Sequence, residues 1–264
     1  MFTEVGLAPA AKNLPSIAFP NQSHVWHPPE MKTSLIFEFI RPNTLNLRVF
    51  LLAAWVSITL CHSSWADDPP NPFDGKSLAA WTKIDGKPVT EGWEVVDGMI
   101  HLRKDGKGSG HIVTVNEFGD FSLAFEWKIA PNGNSGLKYR VRSYGNKVLG
   151  CEYQVYDDAG KKKMLPRNSA GSLYDLYEPN SNKQLKPAGE WNQAKIVVRD
   201  NRIEHWLNGE KVVTATVGDA EWKKRISESK FSEHQDFSQQ QRGKLMLTDH
   251  GSEVWYRNFS FEAN

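Results

Sequence analysis

The sequence predicts an all-β protein, a two-sheet jelly-roll sandwich with one short helix. Three observations carry this. Short alternating apolar and polar runs recur along the chain, tight-turn dipeptides such as Asp97-Gly98 and Asn208-Gly209 separate them, and only Asp219 to Phe231 reads as a helix. No fixed-period repeat and no second domain are visible.

In chain order, Phe73, Leu78 and Trp81 surround an Asp74-Gly75 turn and can cover a sheet edge. Trp93 to Leu102 is a hairpin around Asp97-Gly98, because that dipeptide accepts the left-handed backbone a two-residue turn requires. His111 to Thr114 is a short strand, and Phe121 to Lys128 alternates cleanly, with Glu126 opposite its apolar set. Asn132 to Asp158 is the longest hairpin, with its loop at Ser143 to Lys147. Ala170 to Asp175 reads as a short strand between a basic loop, Lys161 to Asn168, and a polar loop, Pro179 to Gly189. Trp191 to Arg199 and Arg202 to Leu207 pair around Asp200-Asn201, and Asn208-Gly209 leads into Lys211 to Thr214. Lys244 to Thr248 and Glu253 to Phe261 complete the strands.

The first 66 residues read differently. Met31-Lys32, Arg41 and Arg48 precede the apolar run Val49 to Leu60, and Ser64-Trp65-Ala66 follows, which is the order of a secretory signal cleaved after Ala66. The run is shorter than the roughly 20 residues that span a bilayer, so no stable membrane anchor is expected in the mature form. Leu60 before Cys61 is too bulky for a lipoprotein signal. The expected organisation is a leader over 1–66, a linker over 67–72 and one domain over 73–264, with Met1 or Met31 as the start. The expected location is a bacterial periplasm or the cell exterior.

Past Ala66 the chain keeps one cysteine, Cys151, so stability comes from packing and not from a disulfide. Lys plus Arg, 32, nearly balances Asp plus Glu, 31, which argues against nucleic acid as the partner. Ten tryptophans suit both a β core and stacking on sugar rings.

The hairpin at Asn132 to Asp158 holds the densest polar pattern. If Leu137, Tyr139 and Val141 point one way, Lys138, Arg140 and Arg142 point the other. In the second strand Glu152 and Gln154 oppose Cys151, Tyr153 and Val155. Alternation therefore gathers Arg140, Glu152 and Gln154 on one polar face, with Glu126 joining it if its strand lies in the same sheet. Such a face turns to solvent or to a ligand.

Phe73-Asp74-Gly75-Lys76-Ser77-Leu78 with Trp81, Asn134-Ser135-Gly136, Gly150-Cys151-Glu152-Tyr153-Gln154, Gly171-Ser172-Leu173-Tyr174, Gly189-Glu190-Trp191-Asn192, Trp206-Leu207-Asn208-Gly209, Asp249-His250-Gly251 and Arg257-Asn258 occur in this order. In this the chain resembles the 3-keto-disaccharide hydrolase domain family, over nearly the whole stretch from Phe73 to Phe261. The resemblance implies a concanavalin-like jelly roll that acts on, or binds, glycosides whose sugar is oxidised to a ketone at carbon 3. It also implies frequent export and, in some members, metal-assisted elimination. Thr248 departs from the family pattern, where Gln is frequent; Asp249 and His250 match it.

A ketone at carbon 3 acidifies the hydrogen on carbon 2, so cleavage needs a base, support for an enolate oxygen and an acid for the leaving group. Glu152 is the first candidate for base or metal ligand, with Glu126 and Asp157 behind it. Arg140 or Lys138 would hold the ketone oxygen, and His250 would carry a proton or ligate a divalent metal. Asn134 and Gln154 would orient hydroxyls, Tyr174 would stack on the ring, and Asp249 would contact substrate. No compact metal motif occurs, so a divalent metal would need ligands from distant segments. Each residue also has a structural reading: Asn134-Ser135-Gly136 as a turn, Glu152 with Arg140 as a surface ion pair, and Asp249-His250-Gly251 as a loop that caps backbone groups. Two rivals remain beside the keto-glycoside enzyme. One is a non-catalytic carbohydrate-binding module, the other a glycosidase with Glu126 and Glu152 as its carboxylate pair.

Overall fold

The computed structural model describes residues 71–104, 109–160 and 163–263. The leader, most of the linker and the Lys161-Lys162 part of the basic loop lie outside the described residues. Twelve strands and one helix follow in order: β1 (Trp81–Lys83), β2 (Trp93–Val96), β3 (Met99–Leu102), β4 (Ile112–Thr114), β5 (Phe121–Ile129), β6 (Asn134–Tyr144), β7 (Lys147–Tyr156), β8 (Asn192–Arg199), β9 (Arg202–Leu207), β10 (Glu210–Thr216), α1 (Ala220–Ser227), β11 (Lys244–Leu247) and β12 (Val254–Ala263). Two antiparallel sheets form, five-stranded in the order β1-β4-β11-β6-β7 and seven-stranded in the order β10-β9-β8-β5-β12-β3-β2. The expected two-sheet jelly roll is therefore present.

Turn chemistry sets the hairpins. Asp97 (φ 51°) with Gly98 (φ 75°), and Asn208 (φ 49°) with Gly209 (φ 88°), hold the two successive left-handed residues that match the twist of the strands they join. The core is the seam between the sheets. Phe121, Leu123, Phe125, Trp127 and Ile129 from β5 meet Leu137 and Tyr139 from β6 and Cys151, Tyr153 and Val155 from β7, all buried. Cys151 is a free thiol in this core, and burial pushes its pKa up to about 12.

His205 is a buried polar group of the seam that finds partners on both ring nitrogens. His205 Nδ1 lies 3.2 Å from the Gly171 carbonyl oxygen, so this nitrogen carries the proton. Nε2 then accepts from the Tyr139 hydroxyl at 2.8 Å. Desolvation holds the buried imidazole neutral, its pKa lowered to about 4.

Three expectations need correction. The segment Ala170 to Asp175 forms no strand; Leu173 makes single bridges to Tyr153 and Tyr177, because the chain turns at Gly171 (φ 80°) and Asp175 (φ 62°). The helix ends at Ser227, short of Phe231. Strict alternation along β6 also fails, because the pairing with β7 slips between Tyr139 and Arg142. Arg140 takes the left-handed conformation, φ 50°, within this β-bulge, and the bulge reverses the faces beyond it. Val141 accordingly packs with Val113 and Met246 in a small outer cluster, away from Leu137 and Tyr139.

Candidate active site on the five-stranded sheet

The candidate site lies on the face of the five-stranded sheet opposite the core. Lys138 sits directly across from Glu152 in the β6–β7 register, and Gly136 across from Gln154. Glu152 is 5% exposed, with Oε2 3.6 Å from the Lys138 ammonium, whose side chain is 12% exposed. This is a buried pair, which a surface ion pair with Arg140 would not be. The side chain of Glu152 leans over Gly136, where a Cβ would fall 2.3 Å from Oε1. Asn134-Ser135-Gly136 is thus strand and not turn, and its glycine clears space for the carboxylate. Thr248 Oγ1 approaches Oε1 at 3.4 Å and the Gly136 carbonyl at 3.3 Å.

The edge of β7 recruits the next wall. Gly171 N donates to Gln154 O at 2.9 Å and Tyr174 N to Glu152 O at 3.0 Å, which lays the segment along the strand and brings Tyr174 over Glu152. Asp175 then ties two further segments together: Oδ1 accepts from Arg167 Nε at 2.9 Å and Oδ2 from Lys230 N at 2.9 Å. The Lys230 ammonium rests 4.0 Å over the Tyr174 ring.

These elements enclose a cavity of about 60 Å³ lined by Asn134, Lys138, Glu152, Gln154, Tyr174, Lys230 and His250. It shares Asn134, Gln154 and Tyr174 with a groove of about 270 Å³ that continues past Tyr156 to Met164, Leu165 and Asn168. Gln154 Nε2 donates to Asn134 Oδ1 at 3.1 Å, so the two amides are held in one orientation.

Charge in the cavity is mixed, one carboxylate among two ammonium groups and an imidazole. Desolvation lowers the pKa of His250 most, with the Glu152 charge acting against it, so its imidazole is biased toward the neutral form. Lys230 is exposed as a residue, yet desolvation lowers the pKa of its ammonium, opposed by Glu152. The Tyr174 phenol is raised, by desolvation first and by Glu152 second, and stays protonated. His111 stands beside His250, ring centroids 5.6 Å apart, and its Nδ1 accepts from Asp249 N at 2.9 Å. Its pKa is lowered to about 4, by desolvation and then by the Lys138 charge.

Six of the residues singled out in the sequence therefore meet: Glu152, Lys138, Asn134, Gln154, Tyr174 and His250. Four do not. The bulge turns Arg140 to the end of the sandwich, where its fully buried guanidinium donates to the Asp200 carbonyl, to the Ser238 carbonyl at 3.3 Å, and lies 3.8 Å from Asp120. Glu126 belongs to the other sheet, where Oε2 accepts from Arg257 Nε at 2.8 Å and Asn258 Nδ2 at 3.1 Å. Asp157 clamps a turn by accepting from Asn132 N at 2.7 Å. Asp249 holds the neighbouring loop, accepting from Gly110 N at 2.9 Å and Gly251 N at 2.8 Å, and so positions His250 without lining the cavity. The loop-capping role foreseen for Asp249-His250-Gly251 thus applies to Asp249 and not to His250.

Lys230, His111 and Tyr156 were not singled out. Tyr156 follows from alternation with Glu152 and Gln154, whereas Lys230 and His111 reach the site only through folding. Among the described residues no group of three or more His, Cys, Asp or Glu side chains is arranged to hold a metal ion. Glu152 and His250 share the cavity with two ammonium groups that repel a cation, so the residues present do not fit a divalent-ion cage.

Comparison with known proteins identifies the family and the fold. Residues 69–262 match the sequence pattern of the 3-keto-alpha-glucoside-1,2-lyase-like domain family. A curated 3-keto-disaccharide hydrolase of Bacteroides thetaiotaomicron is 32% identical over 219 residues, 70% of this chain and 75% of the relative. A candidate glycosyl hydrolase of Parabacteroides distasonis, solved by crystallography, superposes with a TM-score of 0.65 at 32% identity, over 73% of this chain and 92% of that one. A second candidate glycosyl hydrolase of the same organism has the same fold, with a TM-score of 0.56 at 23% identity over 74% and 98% of the two chains.

Proposed function

Because the chain belongs to the 3-keto-alpha-glucoside-1,2-lyase-like domain family, we propose that it cleaves the glycosidic bond of sugars that carry a ketone at carbon 3. The observation that carries this reading is a single buried carboxylate, Glu152, in a cavity otherwise rich in proton donors. A glycosidase of the usual kind needs two carboxylates astride the bond. Among the described residues Glu152 is the one acid lining this cavity, and Glu126, the partner such an enzyme would use, lies in the other sheet.

A keto-sugar removes the need for the second carboxylate. Glu152 takes the proton from carbon 2, and the electrons of that C–H bond move toward the ketone to give an enolate. Lys138 supplies positive charge for the enolate oxygen. Collapse of the enolate forms the C1–C2 double bond and breaks C1–O. Lys230, made more acidic by desolvation, gives its proton to the departing oxygen. His250, biased toward neutrality, and the paired amides of Asn134 and Gln154 orient hydroxyls. Water adding back across the double bond converts elimination into net hydrolysis. The reading extends to an exported enzyme: the charged, apolar and small-residue segments between Met31 and Ala66 support a cleaved leader.

The test is turnover of a synthetic 3-keto-disaccharide followed by mass spectrometry. The expected early product is the unsaturated keto-sugar, lighter by one water than the hydrolysis product, and Glu152→Gln abolishes its formation. Full activity of Glu152→Gln, or cleavage of an unoxidised aryl glycoside at a comparable rate, overturns the reading.

A further inference from the structure

The outer face of the seven-stranded sheet, remote in topology from Glu152, carries a second depression of about 330 Å³. Ala124 and Glu126 of β5, Gln193 and Lys195 of β8, Trp206 of β9 and Asn258 of β12 line it. Ala124 pairs with Lys195, and Lys195 with Trp206, so one outward row crosses three adjacent strands. The small side chain of Ala124 makes the hollow, and the larger neighbours form its rim.

The polar groups of this rim are held in place and incompletely used. Trp206 Nε1 donates to Glu204 Oε2 at 3.2 Å, which fixes the indole. Glu126 is oriented by Arg257 and Asn258, yet both donors reach Oε2, so Oε1 keeps its lone pairs. Among the described residues the side chains of Gln193 and Lys195 form no hydrogen bond or ion pair. An oriented carboxylate oxygen, two amides and an ammonium around an indole are the donors and acceptors that sugar hydroxyls take, with an aromatic surface for the ring's C–H face. Lys195 also borders an adjoining depression of about 360 Å³ that includes Arg199, Arg202, Glu204 and Glu262. The hollow therefore continues along the sheet and suits a chain more than a single ring. The alternation of acids with bases along it does not favour a polyanion.

We infer that this face is a second carbohydrate seat, which holds a neutral, unoxidised oligosaccharide across Trp206. It is separate from the catalytic cavity and stands whether or not the cavity acts on keto-sugars. Glu126, expected beside Glu152, would then serve the ligand from the opposite sheet.

The experiment is isothermal titration and affinity electrophoresis of the full chain with cellohexaose, maltohexaose and xylohexaose. Saturable binding of at least one is expected. Trp206→Ala, which removes the stacking surface, and Ala124→Trp, which fills the hollow from an outward position, each weaken it by about tenfold or more. Glu152→Gln and Tyr174→Ala leave it unchanged, and turnover of the 3-keto-disaccharide stays at the wild-type value in Trp206→Ala and Ala124→Trp. If Trp206→Ala fails to fold, Ala124→Trp decides alone, because it deletes no core contact. Absence of binding to all three sugars overturns the inference. So does binding that survives Ala124→Trp or is lost in Tyr174→Ala, since the ligand would then lie elsewhere or in the catalytic cavity.

Discussion

Glu152 occupies the space that Gly136 leaves open: a Cβ on Gly136 would stand 2.3 Å from Oε1 and 2.9 Å from Cγ of the glutamate. Those atoms belong to a flexible side chain, so a substitution at Gly136 displaces the carboxylate before it disturbs the sheet. Gly136→Ala is therefore expected to fold and melt much as the wild type, while kcat on a 3-keto-disaccharide falls by about 100-fold, the scale that a 1 Å misplacement of a catalytic group can reach. Thermal melting and steady-state kinetics on the same preparation check this. Unchanged kcat would remove Glu152 from the chemistry or show that it moves freely.

Lys230 gives a second prediction. Its backbone is fixed by Asp175 and its ammonium lies over Tyr174, so its side chain is free to serve the proposed leaving group without holding the sheet together. Lys230→Met is expected to lower kcat by roughly 10²-fold with little change in KM, because a proton donor matters most in the transition state. A leaving group of low pKa, such as a nitrophenol, should recover most of the loss. A variant that fails equally on both substrates would assign Lys230 to binding instead.

Stability should fall as acid is added, and His205 sets the window. Its pKa in the fold is about 4 against an ordinary 6.5. Between these values the unfolded chain binds more protons than the folded one, so stability rises with pH there and is fully present above about 6.5. His111, also at about 4 but only half-buried, adds a smaller contribution of the same sign. Urea denaturation from pH 7 to pH 4 is expected to show a loss of roughly 3 kcal/mol from His205. His205→Gln should flatten that slope while it lowers stability at pH 7.

Arg140 should behave as a structural residue. Its buried guanidinium serves two carbonyls and Asp120 at the end of the sandwich. Arg140→Ala leaves those acceptors without a donor and is expected to cost about 2–4 kcal/mol in urea denaturation. The folded fraction should retain wild-type kcat, whereas a residue that held the ketone oxygen would lose it.

Alternation and turn dipeptides in the sequence were enough to determine most strands, most hairpin turns and most of the core-facing set, because these are local properties of two or three successive residues; the Ala170 to Asp175 segment and Val141 are the exceptions. They also placed Glu152 and Gln154 on one outward face, whereas the pairing of Lys138 with Glu152 came from the strand register. What alternation could not carry was any shift of register. One extra residue between Tyr139 and Arg142 reverses the faces of β6, and Arg140 leaves the site for that reason alone. Sheet membership was equally out of reach, since Glu126 alternates as Glu152 does but hydrogen bonds between distant segments put β5 in the other sheet. Lys230 reaches the cavity, and His111 the side of His250, through contacts spanning large sequence separations, to Asp175 and to Asp249. The sequence by itself determined which residues face outward in most strands, because pleating has a period of two. Only the tertiary structure decided which outward faces meet, because that depends on strand order and on one bulge.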